Sequence, residues 1–252
     1  VLHGSMSDGA MARTGTYYSF DVLAERNGFI AVYPDGFDSH WNGCRVNASY
    51  QANLKDIDDV GFLRQLVDQM AERYGVDPDR VFATGLSNGG HMVYRLAYEA
   101  PDLIAGGAAV IANLPVPDNL GCEPSGQAVP MLILNGTEDP VTPYTGGQIN
   151  LFGETSRGVV MSSAGSARYW AELAGYTGEG ERIALPAANP DDDTSLEMLD
   201  WAGPGRVPVR LISVVGGGHT FPHPVYSAPR ILGPSSHQAD GAELIWDFFR
   251  AL

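Results

Sequence analysis

The run Arg80-Val81-Phe82-Ala83-Thr84-Gly85-Leu86-Ser87-Asn88-Gly89-Gly90 constrains this chain more than any other stretch. An apolar β-type segment breaks there into Gly-x-Ser-x-Gly and then into His91-Met92-Val93-Tyr94-Arg95-Leu96-Ala97-Tyr98, read as a helix. A serine on a sharp strand-to-helix turn needs small neighbours, because the backbone closes tightly and Oγ has to stand clear of it. Gly85 and Gly89 leave that room. The letters alone are weak in a chain with 31 glycines, where a glycine-rich helix entry would match them. The strand before and the helix after are the context that the motif requires.

Length and composition bound what such a turn can belong to. At 252 residues the chain can bury a full core in one large α/β domain or two small ones. No repeat, low-complexity tract or linker divides it, so one catalytic domain over residues 1–252 is expected. A formal charge of −15 argues against a nucleic-acid partner, whose phosphates demand a basic surface. An acidic enzyme with a neutral substrate fits the balance better. No apolar run reaches the length of a membrane span, so no membrane partner is expected, and no signal peptide or basic targeting segment stands out. The oligomeric state is not legible. Cys44 and Cys122 are too few for a disulfide scaffold or a cysteine-based zinc site, and could be one bridge if the protein is exported or two buried thiols if it is not.

Val1-Leu2-His3-Gly4-Ser5-Met6-Ser7-Asp8-Gly9 reads as the tail of a strand entering a polar loop. The chain is expected to begin inside a strand, with upstream strands and an export signal absent from this sequence. A His-Gly-x turn after a central strand is where serine hydrolases of the α/β type place one of two oxyanion-hole N–H donors. Helical spacing follows from about Tyr17 to Asn27, stopped by Gly28, and then a short apolar strand, Phe29 to Tyr33. Phe37 to Lys55 has little periodicity and reads as a long loop, a natural pocket wall after a strand's carboxyl end. Asp58-Asp59 introduce an amphipathic helix carrying Val60, Leu63, Leu66, Val67, Met70 and Tyr74. That pair is read as an N-cap and a first-turn acid rather than a catalytic pair.

Beyond the elbow, strands are expected over Ile104–Val110, Val129–Leu134, Arg182–Leu185, Ser195–Trp201 and Val207–Val215. Helices are expected near Ser163–Ala174 and Ala239–Leu252. The alternation predicts an α/β fold with a mostly parallel sheet and helices on both faces.

A serine hydroxyl needs a base, and the base needs an orienting carboxylate. In α/β-hydrolases the chain order is Ser, then Asp or Glu, then His. Asp139 lies beyond Ser87 after an apolar run, between Glu138, its rival, and Pro140, while Asp191, Asp192 and Asp193 sit in a turn expected to be solvated. Of six histidines only His219, His223 and His237 follow the acid. His219 comes directly after an apolar run and Gly216-Gly217-Gly218. Pro222 between His219 and His223 rules out a regular helix, so a zinc site is discounted. The expected mechanism is acyl transfer from Ser87 with His219 as base and Asp139 as orienter. The N–H groups of Asn88 and of Ser5 (or Met6) would bind the oxyanion, and no metal or organic cofactor is needed.

With these pieces placed, the chain resembles the secreted polyhydroxybutyrate depolymerase and feruloyl esterase family of α/β-hydrolases, related to bacterial LpqC-type esterases. The resemblance runs through Leu2-His3-Gly4, Trp41-Asn42, Asp58-Asp59-Val60-Gly61-Phe62-Leu63, Gly85-Leu86-Ser87-Asn88-Gly89-Gly90, Gly136 to Tyr144, Gly216 to Pro222 and Ile245-Trp246-Asp247-Phe248-Phe249. It implies the same nucleophile, acid and base, export from the cell, and a disulfide between Cys44 and Cys122. A second cysteine pair of the family falls near Tyr176 and Ala202 here and is missing. Trp41, Tyr144 and Phe221 are the candidates for an acyl or aromatic subsite, with core filling as their alternative.

The substrate implied is a small or polymeric ester: a hydroxycinnamoyl or acetyl ester of plant polysaccharide, or a hydroxyalkanoate polyester. A non-catalytic polysaccharide-binding module on a hydrolase fold is the reading of another class, since folds host many functions. A serine peptidase would instead show amide turnover.

Overall fold

In the computed structural model, which describes residues 1–252, the chain forms eight strands. These are β1 (Phe82–Leu86), β2 (Gly106–Val110), β3 (Met131–Gly136), β4 (Gly147–Gln148), β5 (Val159–Val160), β6 (Glu181–Ala184), β7 (Ser195–Trp201) and β8 (Val209–Val215). Six of them form one sheet in the order β1-β2-β3-β8-β7-β6. The first four in that order are parallel, and β7 and β6 add an antiparallel edge. β4 and β5 pair as a separate small antiparallel hairpin that the sequence reading missed.

Seven helices accompany the strands: α1 (Gly9–Gly15), α2 (Ser19–Asn27), α3 (Gln51–Leu54), α4 (Asp59–Tyr74), α5 (Asn88–Glu99), α6 (Ser163–Leu173) and α7 (Gly241–Phe249). Strand residues alternate between two cores, as period-2 geometry dictates. Met131, Ile133, Val209 and Leu211 pack with Val93, Leu96, Ala167 and Trp170 from α5 and α6. Leu132, Leu134, Ile212 and Val214 pack with Phe20 and Leu23 of α2 and Ile245 and Phe248 of α7. Helices therefore cover both faces, as the alternation of elements required.

Local signals set several boundaries. Asp58 caps α4 by accepting the Gly61 N–H at 2.8 Å, and Gly75, at φ 66°, ends it. Asp59 reaches further: Oδ2 accepts the Asn42 N–H at 2.7 Å, which ties the long loop to the start of α4. Burial pushes the Asp59 carboxyl above its usual range.

Phe29–Tyr33 differs from expectation, because it forms no strand. Its neighbour, Val1–His3, makes a single parallel bridge at Leu2 to Gly85, and Val1 N donates to Val32 O at 2.8 Å. One bridge is too little to build a ladder, so high β propensity ends as extended chain without pairing.

Cys44 and Cys122 form a disulfide with Cα atoms 5.1 Å apart, as the resemblance implied. It links the long loop before α4 to the loop after β2 across 78 residues. Closing so long a loop restricts the unfolded chain, and replacing both cysteines by serine should lower stability by about 2–4 kcal/mol. Urea denaturation of the two proteins under non-reducing conditions measures the difference.

Candidate active site

Ser87 caps α5 directly after β1, with φ 52° and ψ −110°, a region that costs a non-glycine residue roughly 1–3 kcal/mol. Its own N–H continues the ladder to Val110 O at 2.9 Å, and its carbonyl accepts the first helical N–H, from His91, at 3.1 Å. The chain thus turns from strand to helix about one residue. A Cβ on Gly85 would strike the Gly89 carbonyl, and one on Gly89 would strike the Leu2 carbonyl. Asn88 through Tyr94 are all buried, whereas Ser87 keeps part of its surface open to solvent.

Asp139 and His219 meet at the same edge of the sheet, three residues beyond β3 and four beyond β8. His219 Nδ1 lies 2.7 Å from Asp139 Oδ2, with the carboxylate side chain 1% exposed and the imidazole 7%. A carboxylate only accepts, so Nδ1 carries a proton towards Asp139 and Nε2 is the nitrogen left to act as a base. Asp139 Oδ1 accepts the N–H groups of Val141 and Thr142 at 2.7 and 2.8 Å, which fixes the carboxylate plane. Its rival Glu138 points to solvent.

The two loops can lie this close because Gly136 abuts the carbonyls of Gly217 and Gly218, where any side chain would collide. The His219 loop is further held by 230–236, with His219 N–H on Leu232 O at 2.6 Å and Gly218 N–H on Pro234 O at 2.8 Å. Ser87 Oγ makes no hydrogen bond to His219 in this arrangement; the structure joins acid and base and places the serine at the same sheet edge. Such contacts often tighten only when substrate binds.

The His3-Gly4-Ser5 loop packs against the elbow, where a Cβ on Gly4 would sit 3.7 Å from Ser87 Cβ. His3, which had no place in the triad order, holds this loop. Its Nδ1 lies 2.7 Å from Gly4 O, and its Nε2 accepts the Gly36 N–H at 2.8 Å. Asn88 supplies the first N–H of α5, which has no carbonyl within the helix to bond.

The side chain of Asn88, unassigned from sequence, is a clamp on the long loop. Oδ1 accepts the Trp41 N–H at 2.7 Å, while Nδ2 donates to Trp41 O at 2.9 Å and to the Tyr50 hydroxyl at 3.1 Å. An Asn after the nucleophile was the signal; its partners, some forty residues upstream, leave no local trace.

Two of the expected subsite aromatics have another place. Trp41 is 0% exposed, packs tilted against His3 with ring centres 5.0 Å apart and donates Nε1–H to His3 O at 3.1 Å. Phe221 is buried against Phe20 and Gly241. Burying these large rings gains more than exposing them, so both brace the site from behind. Tyr144 stays half-buried, its hydroxyl 2.5 Å from Ser213 Oγ. Sequence reasoning missed an aromatic group nearer the surface, in which Tyr226 stacks on Tyr17 at 5.1 Å and both contact His223. A separate apolar cleft of about 700 Å³, lined by Phe29, Leu63, Val81 and Phe249 among others, includes none of the candidate triad.

Comparison with known proteins bears on the family and the fold. Residues 16–125 match the profile of the prolyl oligopeptidase family. The chain is 31% identical to NocK of Nocardia uniformis subsp. tsuyamanensis, a protein named as an esterase, over 98% of this chain and 72% of that protein. It is also 31% identical to feruloyl esterase B of Piromyces equi, over 65% of this chain but only 29% of the relative's length. Among solved structures, an acetyl xylan esterase from Aspergillus awamori superposes with a TM-score of 0.61 at 16% identity, covering 100% of this chain and 87% of that one, a likeness of fold.

Two substitutions probe the turn and the clamp. Asn88→Ala strands the buried N–H and carbonyl of Trp41 and should cost about 2 kcal/mol or more in chemical denaturation. Gly89→Ala should be worse, because its methyl group meets backbone that cannot move aside, and a fall in thermal midpoint together with lost activity is the expected result.

Proposed function

The chain belongs to the esterase family of α/β-hydrolases, and on that premise we propose that it is an exported serine esterase cleaving hydroxycinnamoyl or acetyl esters of plant polysaccharide. The observation that carries the chemistry is the buried pair of Asp139 and His219, 2.7 Å apart at the sheet edge where Ser87 stands on its positive-φ turn. Ser87 Oγ attacks the ester carbonyl while His219 Nε2 takes its proton. Asp139 holds the Nδ1–H and the positive charge that develops on the ring. The N–H groups of Asn88 and Ser5 receive the oxyanion, each donor worth about 3 kcal/mol in comparable sites. The tetrahedral intermediate collapses, the alcohol leaves with the proton from His219, and water repeats the sequence on the acyl-enzyme.

Support for the substrate class comes from the relatives' names, a feruloyl esterase in sequence and an acetyl xylan esterase in fold. The exposed face of Tyr226 backed by Tyr17 suits a phenolic ring or a sugar. The disulfide fits an oxidising compartment.

The test is a panel of esters on purified protein. Methyl ferulate should be hydrolysed and ferulate released from arabinoxylan, with negligible turnover of anilides. Clearing of a polyhydroxybutyrate suspension without attack on methyl ferulate would move the substrate to polyesters. Ser87→Ala and His219→Ala should each lower kcat on p-nitrophenyl acetate by about a thousandfold or more, and Asp139→Ala by less. Full activity in Ser87→Ala would overturn the mechanism.

A further inference from the structure

Beside the Asn88 clamp lies a charge that neither the fold nor the triad uses. Arg45 is 2% exposed and no carboxylate pairs with it. Its one side-chain hydrogen bond runs from Nη2 to the Tyr50 hydroxyl at 3.0 Å, and its Nε is buried with no acceptor. Arg157, 8% exposed, comes from the far end of the β4–β5 hairpin, and its guanidinium lies 5.8 Å from the centre of the same Tyr50 ring, as does that of Arg45. Arg157 is paired with Glu154, whose side chain is 43% exposed. Asn119 joins the two loops, accepting the Asn47 N–H on Oδ1 at 3.0 Å and donating Nδ2–H to Arg157 O at 3.2 Å.

Two guanidinium groups thus share one tyrosine ring, and only Arg157 has a carboxylate partner. A buried cation without a counter-ion costs several kcal/mol of desolvation in most settings, so its retention calls for a compensating anion. The neighbouring imidazoles do not provide one. His40 stacks on Tyr50 at 4.6 Å and His91 is sealed with Nδ1 unpartnered; burial lowers both below the usual histidine range, with Arg45 adding to the effect at His91. The Tyr50 hydroxyl accepts from both Arg45 and Asn88, two groups that cannot accept in return, so its own proton is free for a ligand. This cluster of donors is tied to the nucleophile's turn through Asn88, the residue after Ser87, whose Nδ2 donates to the Tyr50 hydroxyl at 3.1 Å.

We infer that Arg45, with Tyr50 and Arg157, forms an anion subsite that binds a free carboxylate on the ester substrate. The inference rests on the esterase reading of Ser87 and deepens it: against the acidic bulk of the protein, a carboxylate-bearing ester is recognised locally. A carboxylate matches the unused edge of one guanidinium plus one hydroxyl donor, and it could be carried on the acyl side or on the alcohol side of the scissile bond.

Two pairs of probes separate these sources. On the acyl side, p-nitrophenyl hydrogen glutarate is compared with p-nitrophenyl butyrate; on the alcohol side, 4-acetoxybenzoate is compared with phenyl acetate. In one pair, Arg45→Met should lower the ratio of kcat/KM for the anionic over the neutral ester by about tenfold or more, mainly through KM. Arg45→Lys, which keeps the charge, should recover part of that ratio, as a purely structural role would not. Arg157→Gln provides a second reading should Arg45→Met fold poorly, with a smaller fall in the same ratio. If the wild-type protein hydrolyses the neutral esters and the ratios stay unchanged in every soluble variant, the anion subsite is overturned while the esterase reading stands. No hydrolysis of any probe by the wild-type protein would instead overturn the esterase reading, and the subsite with it.

Discussion

The turn at Ser87 is the constraint on which the rest of the site depends. A backbone that leaves a strand and enters a helix within one residue has to hold that residue at positive φ, and the strain persists only if everything around it is already packed. Gly85 and Gly89 permit the close contact of strand and helix, and the carbonyls of Leu2 and His3 press on Gly89 from the other side. A half-open serine above an otherwise buried helix entry follows from this crowding.

Parallel pairing then does the gathering. Because β1, β2, β3 and β8 run in one direction, their carboxyl ends share an edge, and loops far apart in sequence converge there. The contact of Gly136 with Gly217 and Gly218 narrows the gap between two of those loops until Asp139 and His219 hydrogen-bond. Burial of that pair excludes water from the carboxylate, and its two backbone N–H donors replace the lost hydration.

The stretch between Phe37 and Lys55 carries no periodic pattern and reads as loop throughout, yet it ends in the short helix α3 and is anchored at several points. Asn88 clamps Trp41, Asp59 holds Asn42, and a disulfide fixes Cys44 to Cys122. Those anchors also bring Arg45 into the interior, where it shares the Tyr50 hydroxyl with Asn88, in a protein whose net charge is −15. Bulk charge and local charge therefore oppose one another at the site, and a buried donor cluster is screened far less than the acidic surface around it.

Sequence by itself determined what short-range physics dictates. The elbow turn at Gly85-Leu86-Ser87-Asn88-Gly89, the Asp58 cap, strand β7 over Ser195–Trp201 and the positions of Asp139 and His219 just beyond strands β3 and β8 were legible because each rests on local periodicity, capping chemistry or chain order. Tertiary structure alone decided the rest. Trp41 and Phe221 were buried by contacts with His3, Asn88 and Gly241 that no local pattern records. Phe29–Tyr33 had the composition of a strand and lacked a neighbour to pair with. Arg45 and Arg157, 112 residues apart in the chain, share one tyrosine ring because Asn119 and the disulfide fold their loops together. Hydrogen bonds and burial between distant segments depend on where the sheet delivers each loop, and that is fixed only when the whole core has packed.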